Sequence, residues 1–288
     1  MPAAMPAVIT ALPGSPLVAV PSRHGTFLCS GQDMIGRMLA LYGEWAEQEI
    51  RLLSRILRPG DVAVDVGAHI GTVSLAMARA VGDRGCVLAF EAQRMVHNVL
   101  CANIAINGLL NVHAFNAIVT DRDGGARLNE QRPADWRNSG SFAIPAVASS
   151  AASPRNTPKI RLDSVLATLD RCRVVKMDIE GAEPLALDGF GAVIGRLRPA
   201  LYIEANREDR FLAVKERLDR LGYRAWWHCE PHFNPANFRG ETRNAYGAAT
   251  DINLLALPAD AAAPEGLREA RDFADVAHLA PPAASTAG

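Results

Sequence analysis

The stretch VDVGAHIG, residues Val64–Gly71, has one acid within an apolar run, followed by two glycines four positions apart. The apolar run Val62–Val66 predicts a buried strand, and the pattern from about Ile70 to Val81 predicts the helix that follows it. Glycines at such a turn indicate that the backbone bends tightly and that another group approaches it closely. The identity of that group decides how the rest of the chain is interpreted.

The glycine spacing does not fit the common phosphate-binding loops. A dinucleotide-binding turn reads G-x-G-x-x-G and a Walker loop requires Gly-Lys followed by Ser or Thr, whereas this turn reads G-x-x-x-G. The pattern D-x-G-x-H-x-G resembles instead the loop with which methyltransferases bind S-adenosylmethionine (SAM). The methionine end of SAM carries a carboxylate and an ammonium rather than a pyrophosphate. We expect a left-handed backbone at His69, a conformation that histidine adopts more readily than most non-glycine residues.

A second signal is the acid in the motif FEAQ. Glu91 ends a predicted strand, Cys86–Glu91, and stands 24 positions after Gly67. An acidic residue about 20 positions beyond such a turn typically binds ribose hydroxyls. The turn and the acid together predict a cofactor that carries a nucleoside. The alternative is a solvated glutamate at the end of a strand.

The motif KMDIEGAE, which begins at Lys176, has three charges at the end of another predicted strand. Lys176, Asp178 and Glu180 share one face because side chains alternate along a strand. Such a cluster predicts a functional site, and a structural ion pair between Lys176 and a carboxylate is the alternative. The next predicted strand ends in a similar way, with Glu204 followed by Asn206.

Strands that alternate with helices along the chain predict an α/β fold with a doubly wound, mostly parallel sheet. Ligands of such sheets bind beyond the carboxyl ends of the strands. We predict an irregular segment over residues 1–24, one domain over residues 25–257 and an Ala/Pro-rich tail over residues 258–288. Residues 120–158 are predicted to form a long loop. We expect the tail beyond Pro264 to lack an apolar stripe long enough to dock firmly on the domain.

The composition excludes several classes of partner. The 288 residues carry a formal net charge of −1, which gives no electrostatic reason to expect a nucleic-acid partner. The five cysteines form no C-x-x-C pair and indicate reduced thiols, as in a cytoplasmic protein, rather than disulfides or a zinc site. Because charges interrupt the apolar runs, we predict no membrane span. The sequence leaves open whether the chain forms a homo-oligomer.

Several motifs occur together in the order typical of one known family. They are DVGAHIG, FEAQ, LDSVL, KMDIEGAE, LYIEAN, HFNPANF and INLLALP, within about residues 25–257. On these motifs the chain resembles the FkbM-type SAM-dependent methyltransferases. The resemblance implies a class I methyltransferase (Rossmann-like) fold with a seven-stranded sheet whose last strand is antiparallel. It also implies SAM as cofactor, S-adenosylhomocysteine as product, and methyl transfer to a hydroxyl of a sugar or natural product. The family more often has Asn at the position of His69 and Pro at that of Ala92.

The predicted cofactor contacts lie on the turn, at strand ends and in the KMDIEGAE motif. They are Asp65, Gly67, Ala68, His69, Gly71, Glu91, Ala92, Asn116 and Asp178. A hydroxyl acceptor must lose a proton, and a positioned base typically accelerates such a step about 10²–10⁴-fold. Asp178 is the first candidate for this base and Glu204 the second. His228, expected with His232 where the sixth strand gives way to a loop, is the third.

Three other functions stay open from the sequence. Asp178, Glu204 and Asn206 offer the oxygen ligands that Mg²⁺ prefers, as in a metal-assisted, catechol-type O-methyltransferase. The segment Asn234–Phe238 resembles the NPPF-like motif of N-methyltransferases, although there the motif follows a different strand. The third alternative is a protein that binds SAM without catalysis.

Overall fold

The structure of the protein, a computed structural model, describes residues 10–11, 14–128, 136 and 156–279. The strands are β1 (Thr10–Ala11), β2 (Leu17–Ser22), β3 (Gly25–Ser30), β4 (Val62–Val66), β5 (Cys86–Glu91), β6 (Val112–Asn116), β7 (Ile118–Val119), β8 (Gly124–Ala126), β9 (Thr157–Ile160), β10 (Val174–Met177), β11 (Ala200–Glu204), β12 (Tyr223–Pro231) and β13 (Thr250–Pro258). The helices are α1 (Met34–Tyr42), α2 (Glu47–Ile56), α3 (Thr72–Val81), α4 (Arg94–Ile106), α5 (Leu162–Val165), α6 (Glu183–Asp188), α7 (Ile194–Leu197) and α8 (Glu208–Arg220). Within the described ranges, no helix has the length and apolarity needed to cross a membrane.

Seven strands form the central sheet, in the order β12-β13-β11-β10-β4-β5-β6. Neighbours from β11 to β6 run parallel, whereas β13 is antiparallel to both β11 and β12. The predicted doubly wound, mostly parallel sheet with its last strand antiparallel is confirmed. From β4, the chain first adds β5 and β6 on one side and later adds β10 and β11 on the other side, so the strand order reverses between β4 and β10. Such a reversal opens a crevice at the carboxyl ends of the strands, where ligands of these sheets bind.

The central strands are buried on both faces, which is why they appear in the sequence as apolar runs. Val64 belongs to the core on one face of the sheet and Ala63 to the core on the other. Asp65 and Lys176, which are partners across β4 and β10, share the face of Ala63. Their side chains are 0% and 5% exposed. Two opposite charges side by side in a buried face indicate a polar site within the sheet.

The N-terminal segment is more regular than predicted. β2 and β3 form an antiparallel hairpin, so irregular structure does not extend over residues 17–22. Asn103 of α4 holds this hairpin, because its Oδ1 accepts from the Leu28 N–H (2.7 Å) and its Nδ2 donates to the Ile70 carbonyl oxygen (2.8 Å). The hairpin is thereby joined to the turn that follows β4.

The predicted long loop over residues 120–158 lies largely outside the described residues. Its described ends form β8 and the start of β9, which pair antiparallel. Next to this region the chain changes sheets, because β6 stays in the central sheet and β7 joins β9 in a separate three-stranded sheet.

The described part of the tail packs on the domain, contrary to the expectation for residues beyond Pro264. Ala270, Phe273 and Val276 are buried in the same core as β12. The Ala270 N–H also donates to the Ala225 carbonyl oxygen of β12 (2.8 Å). The expectation was wrong because three apolar residues at intervals of three positions suffice beside β12, the edge strand of the sheet. Two 3₁₀ turns, Phe273–Asp275 and Ala277–Leu279, complete this segment.

Candidate active site

A cavity lies where the carboxyl ends of β4, β5, β10 and β11 meet. Its volume is about 670 Å³, within the range of about 300–1,000 Å³ typical of small-molecule sites. The predicted site residues that line it are Gly67, Ala68, His69, Glu91, Ala92, Asp178, Glu204 and Asn206. The structure therefore brings together most of the residues that the sequence singled out.

The turn after β4 approaches the end of β10 so closely that only glycine fits at its first position. Gly67 has a φ of 82°, and a Cβ there would lie 1.9 Å from the Asp178 carbonyl oxygen. His69 has a φ of 49°, so the expected left-handed backbone is confirmed. The group that approaches Gly67 is thus the backbone that follows β10, and the two strand ends are locked together at this point.

The helix that follows the turn presents its amino end to the cavity. α3 begins at Thr72, which lines the cavity, and no side chain in the described part of the chain caps its first turn. Uncapped backbone N–H groups and the positive end of the helix dipole favour a carboxylate. This end of the cavity therefore suits the methionine carboxylate of SAM.

Glu91 joins the turn to the end of β5. Its Oε2 accepts from the His69 N–H (3.0 Å) and its Oε1 from the Gln93 N–H (2.8 Å). Burial raises the pKa of this carboxyl to about 7, against the lowering effect of the two hydrogen bonds. Each carboxylate oxygen has a further lone pair, so Glu91 can still accept hydrogen bonds from ribose hydroxyls. The amino end of α3 and Glu91 together fit the charge and hydrogen-bonding groups of SAM.

Three of the predicted cofactor contacts do not line the cavity. Asp65 is fully buried and accepts a hydrogen bond from a serine of α3 (2.5 Å). Gly71 precedes α3 and has a φ of 93°. The Asn116 amide donates to the carbonyl oxygens of Glu91 and Ala92 (both 2.9 Å). These three residues shape the backbone around the cavity, and their predicted contact with a ligand is not supported.

Asp178 follows β10 and reaches the cavity. Its carboxylate lies 3.4 Å from the Lys176 ammonium, and its side chain is 44% exposed. Lys176 lies 3.4 Å from Asp65 as well. Burial alone would lower the pKa of Lys176, but the carboxylates of Asp65 and Asp178 hold it above its usual value. The ion pair considered as the structural alternative therefore exists, and it leaves Asp178 accessible from the cavity.

A second group of acids surrounds Arg210 near the end of β11. The guanidinium lies 3.1 Å from Glu204 and 3.3 Å from Glu180. Carboxylate oxygens of Asp178, Glu180 and Glu204 lie within 4.8 Å of one another, a spacing that suits a metal ion. Asn206, a predicted metal ligand, donates to Glu204 (2.6 Å) and accepts from Arg210 (3.3 Å). Because Arg210 already pairs with two of the three acids, a cation would have to displace it.

His228 was predicted as the third candidate base, and the structure places it away from the cavity. β12 continues to Pro231, so His228 lies within a strand, opposite Asn253 of β13, and is not among the residues that line the cavity. Its Nδ1 lies 2.8 Å from the Tyr202 hydroxyl oxygen, and burial lowers its pKa to about 4. His228 is therefore a buried partner of Tyr202. The prediction went wrong because it ended the strand too early.

The segment Asn234–Phe238 holds the fold together. Asn234 donates to one oxygen of Glu44 (2.6 Å), and the Phe238 N–H donates to the other (2.8 Å). Neither Asn234 nor Phe238 lines the cavity. The Asn-Pro pattern therefore has a structural explanation, and it does not support the N-methyltransferase alternative.

One side of the cavity comes from residues that the sequence analysis did not identify as site residues. Trp45 and Glu49 belong to the region around α2, and Asp251 to the start of β13. His232 joins them, with its Nε2 2.8 Å from Asp251 and its ring 5.6 Å from that of Trp45. Glu49 had a signal in the sequence, since it lies four positions before Leu53 on the apolar face of α2. Trp45 and Asp251 had none, because their proximity arises only on folding.

The fold, the cavity at the strand ends and the cofactor turn define a class I SAM-dependent methyltransferase. The chain belongs to the FkbM methyltransferase family, since the family model described as Methyltransferase FkbM domain matches residues 65–225. The match confirms the resemblance read from the motifs. A comparison with curated proteins finds no match.

Solved structures resemble the chain at low sequence identity. The FkbM methyltransferase from Methylobacillus flagellatus is 17% identical, over 72% of this chain and 50% of that one, with a TM-score of 0.44. A SAM-dependent O-methyltransferase from Thermotoga maritima is 13% identical, over 85% of this chain and 79% of that one, with a TM-score of 0.43. The precorrin-6y C5,15-methyltransferase from Geobacter metallireducens is 15% identical, over 73% of this chain and 89% of that one, with a TM-score of 0.43. Similarities this weak give no information about the substrate.

Proposed function

We propose that the protein transfers the methyl group of SAM to a hydroxyl of a sugar or natural-product small molecule. The observation that carries the proposal is the position of Asp178. Its carboxylate is 44% exposed, lines the same cavity as the cofactor turn and lies 3.4 Å from Lys176. A hydroxyl acceptor needs a base of this kind close to the methyl donor.

SAM, when bound, supplies an activated methyl group on a positively charged sulfur. The protein must hold the acceptor in line, which contributes about 7–11 kcal/mol in well-oriented reactions, and must take the hydroxyl proton. Asp178 accepts that proton, and the ion pair with Lys176 fixes its carboxylate. Glu204 is the second candidate: burial, and next the charge of Asp178, raise its pKa well above the usual value. We rank Asp178 first because Arg210 already binds Glu204.

The test is the variant Asp178→Asn, which keeps the size of the side chain but removes its ability to take a proton. With tritiated SAM and an accepted hydroxyl compound, we expect turnover to fall about 10²-fold or more. Calorimetry should give a nearly unchanged SAM affinity. The exposed acid Asp83 provides the control, because Asp83→Asn should leave both quantities unchanged.

Normal turnover in Asp178→Asn, with a lower melting temperature, would reduce Asp178 to an ion-pair partner of Lys176. The base role would then pass to Glu204. Wild-type protein that binds SAM but methylates no hydroxyl compound would favour the alternative of SAM binding without catalysis.

Composition supports a further part of the proposal. A net charge of −1 is a poor match for a polyanionic substrate, so we propose a small-molecule acceptor rather than a nucleic acid. The five cysteines are free thiols, in keeping with the reducing cytoplasm in which we place the protein.

A further inference from the structure

Glu49 is a buried acid at the cavity, and one of its carboxyl oxygens has no hydrogen-bond partner among the described residues. It lies in the first turn of α2, is 9% exposed and lines the cavity. The oxygen without a partner is the buried Oε1. Buried polar atoms are nearly always hydrogen-bonded, because leaving one unpaired destabilises the fold. A site that retains such an atom is expected to use it.

Glu47, two residues earlier on the same helix, shows that partners for an acid are available nearby. It is 7% exposed. Its carboxylate lies 2.7 Å from His24, 2.9 Å from Arg51 and 3.5 Å from Arg23. Glu47 thus ties α2 to the β2–β3 hairpin. Among the described residues Glu49 forms no ion pair of this kind, so no contact of this kind ties it to the hairpin.

The neighbours of Glu49 at the cavity suit a molecule rich in hydroxyl groups. Trp45 contributes an aromatic side chain, and the His232–Asp251 pair contributes polar atoms (Nε2 to Oδ1, 2.8 Å). The Nδ1 of His232 is buried without a hydrogen-bond partner in the described part of the protein. These residues lie outside the segment 65–225 that the family shares. Residues outside a shared cofactor domain are the natural place for contacts that differ between acceptors.

We propose that the Glu49 carboxyl binds the methyl acceptor, by a hydrogen bond to one of its hydroxyl groups. This inference rests on the proposed function. Burial raises the pKa of Glu49 to about 8, so near neutral pH the carboxyl holds a proton and can donate to a hydroxyl oxygen as well as accept from its hydrogen. Glu49 is therefore a positioning residue, distinct from Asp178, which takes the proton.

The first experiment needs no acceptor. A binding residue with an unpaired buried atom is replaced at no cost to stability, whereas a structural residue is not. We expect Glu49→Leu to melt at the wild-type temperature or a few degrees above it, with unchanged SAM affinity by calorimetry. The control Glu47→Gln, which breaks the ion pairs of α2, should melt lower. A fall of several degrees in Glu49→Leu would overturn the inference.

The second experiment measures transfer from tritiated SAM to the methyl glycosides of glucose, mannose, rhamnose and N-acetylglucosamine. For a glycoside that the wild type accepts, we expect Glu49→Leu to raise KM about tenfold or more, the value of one hydrogen bond. Glu49→Gln is neutral and keeps a donor and an acceptor, so its KM should stay within about threefold of the wild type. Loss of kcat in Glu49→Gln with unchanged KM would make Glu49 a base and contradict the inference.

The two experiments separate this inference from the proposed function. If the wild type methylates none of the glycosides, the sugar-hydroxyl proposal fails. The melting comparison of Glu49→Leu with Glu47→Gln still decides whether Glu49 is a structural residue.

Discussion

The two sides of the cavity are built in different ways. The cofactor side is made mainly of backbone: the turn after β4, the amino end of α3 and the end of β5, all within residues 62–93. The side on which we place the acceptor, called the acceptor side below, is made of side chains from α2 and from β12–β13, and contacts such as that of Asn234 with Glu44, 190 positions apart, stabilise it. A turn that needs a particular backbone conformation restricts which residues can stand at neighbouring positions, so it appears in the sequence as a motif. Contacts between distant segments leave none, which is why the sequence predicts the cofactor better than the acceptor.

The largest effect should come from crowding the backbone on the cofactor side. In Gly67→Ala the new Cβ would lie 1.9 Å from the Asp178 carbonyl oxygen, so the turn and the end of β10 cannot keep their contact. We expect a loss well above the strain of a left-handed alanine, which is about 1–2 kcal/mol. Thermal unfolding and SAM calorimetry should show a large drop in melting temperature together with lost binding.

Gly60 is the matched control for Gly67. It has a φ of 89°, and a Cβ there would meet no atom of the described residues within 4 Å. Gly60→Ala therefore carries the strain without the clash, and at about 2–4 °C per kcal/mol its melting temperature should fall only modestly. Equal effects in the two variants would show that close approach of the strands is not what requires glycine at position 67.

The next largest effect concerns the C-terminal segment, which reaches the cavity through His278 and Leu279. Phe273 is 6% exposed, and its ring lies 6.1 Å from those of Phe211 and Trp227. Phe273→Ala should destabilise the fold by about 3–5 kcal/mol, the usual cost of removing a buried phenylalanine. Urea unfolding monitored by circular dichroism measures this loss.

An exposed apolar residue provides the comparison for Phe273. Leu212 of α8 is 57% exposed, so Leu212→Ala should change stability by no more than about 0.5 kcal/mol. If Phe273→Ala were equally mild, the tail would be dispensable, as its composition first indicated.

Particular residues show how far the sequence could predict this protein. The strand Cys86–Glu91 was predicted with its observed bounds, and the left-handed His69 was foreseen, because both depend on neighbours in the chain. His228 was misplaced because a strand end depends on pairing with a distant strand. Asn116 was given a ligand role, although its amide serves carbonyl groups more than 20 positions earlier. The partners of Glu204 were likewise invisible, since Arg210 reaches it only once α8 has folded back.

A smaller effect is expected on the acceptor side, where the protonation of Glu49 should make the melting temperature depend on pH. Burial raises the pKa of Glu49 to about 8; the charge of Lys176 acts against this shift, and the charges of Asp178, Asp251 and Asp65 add to it. A raised folded pKa means that stability is full below the pKa of the unfolded chain and is lost as the pH rises through the folded value. The melting temperature should therefore fall between about pH 5 and pH 8.

The variant Glu49→Gln isolates this contribution, because glutamine has no proton to lose. Its melting temperature should fall less between the same two pH values than that of the wild type. Parallel curves for the two proteins would show that Glu49 is ionised throughout this range.

The smallest expected effect is that of Mg²⁺ on the turnover and melting temperature of the wild type, and it concerns the group of acids around Arg210. Asp178, Glu180 and Glu204 present oxygens within 4.8 Å of one another, but Arg210 pairs with two of them. We expect turnover and melting temperature of the wild type to be the same in EDTA and in millimolar MgCl₂. Arg210→Met leaves the three acids without their cation, and like charges held this close favour a divalent ion. The variant should therefore melt higher in MgCl₂ than in EDTA.

Arg217→Met is the control, because it removes an arginine of the same helix that pairs with Asp188 (2.8 Å) instead of with the acids at the cavity. Its melting temperature should not respond to MgCl₂. An ion present at 100 times its dissociation constant stabilises a protein by about 2.7 kcal/mol, which corresponds to several degrees at this size. A rise of that size in the wild type, or loss of its turnover in EDTA, would identify a metal-assisted, catechol-type enzyme. In that case the ion would displace Arg210 from the acids, and the main role of Asp178 would be that of a metal ligand rather than of a base.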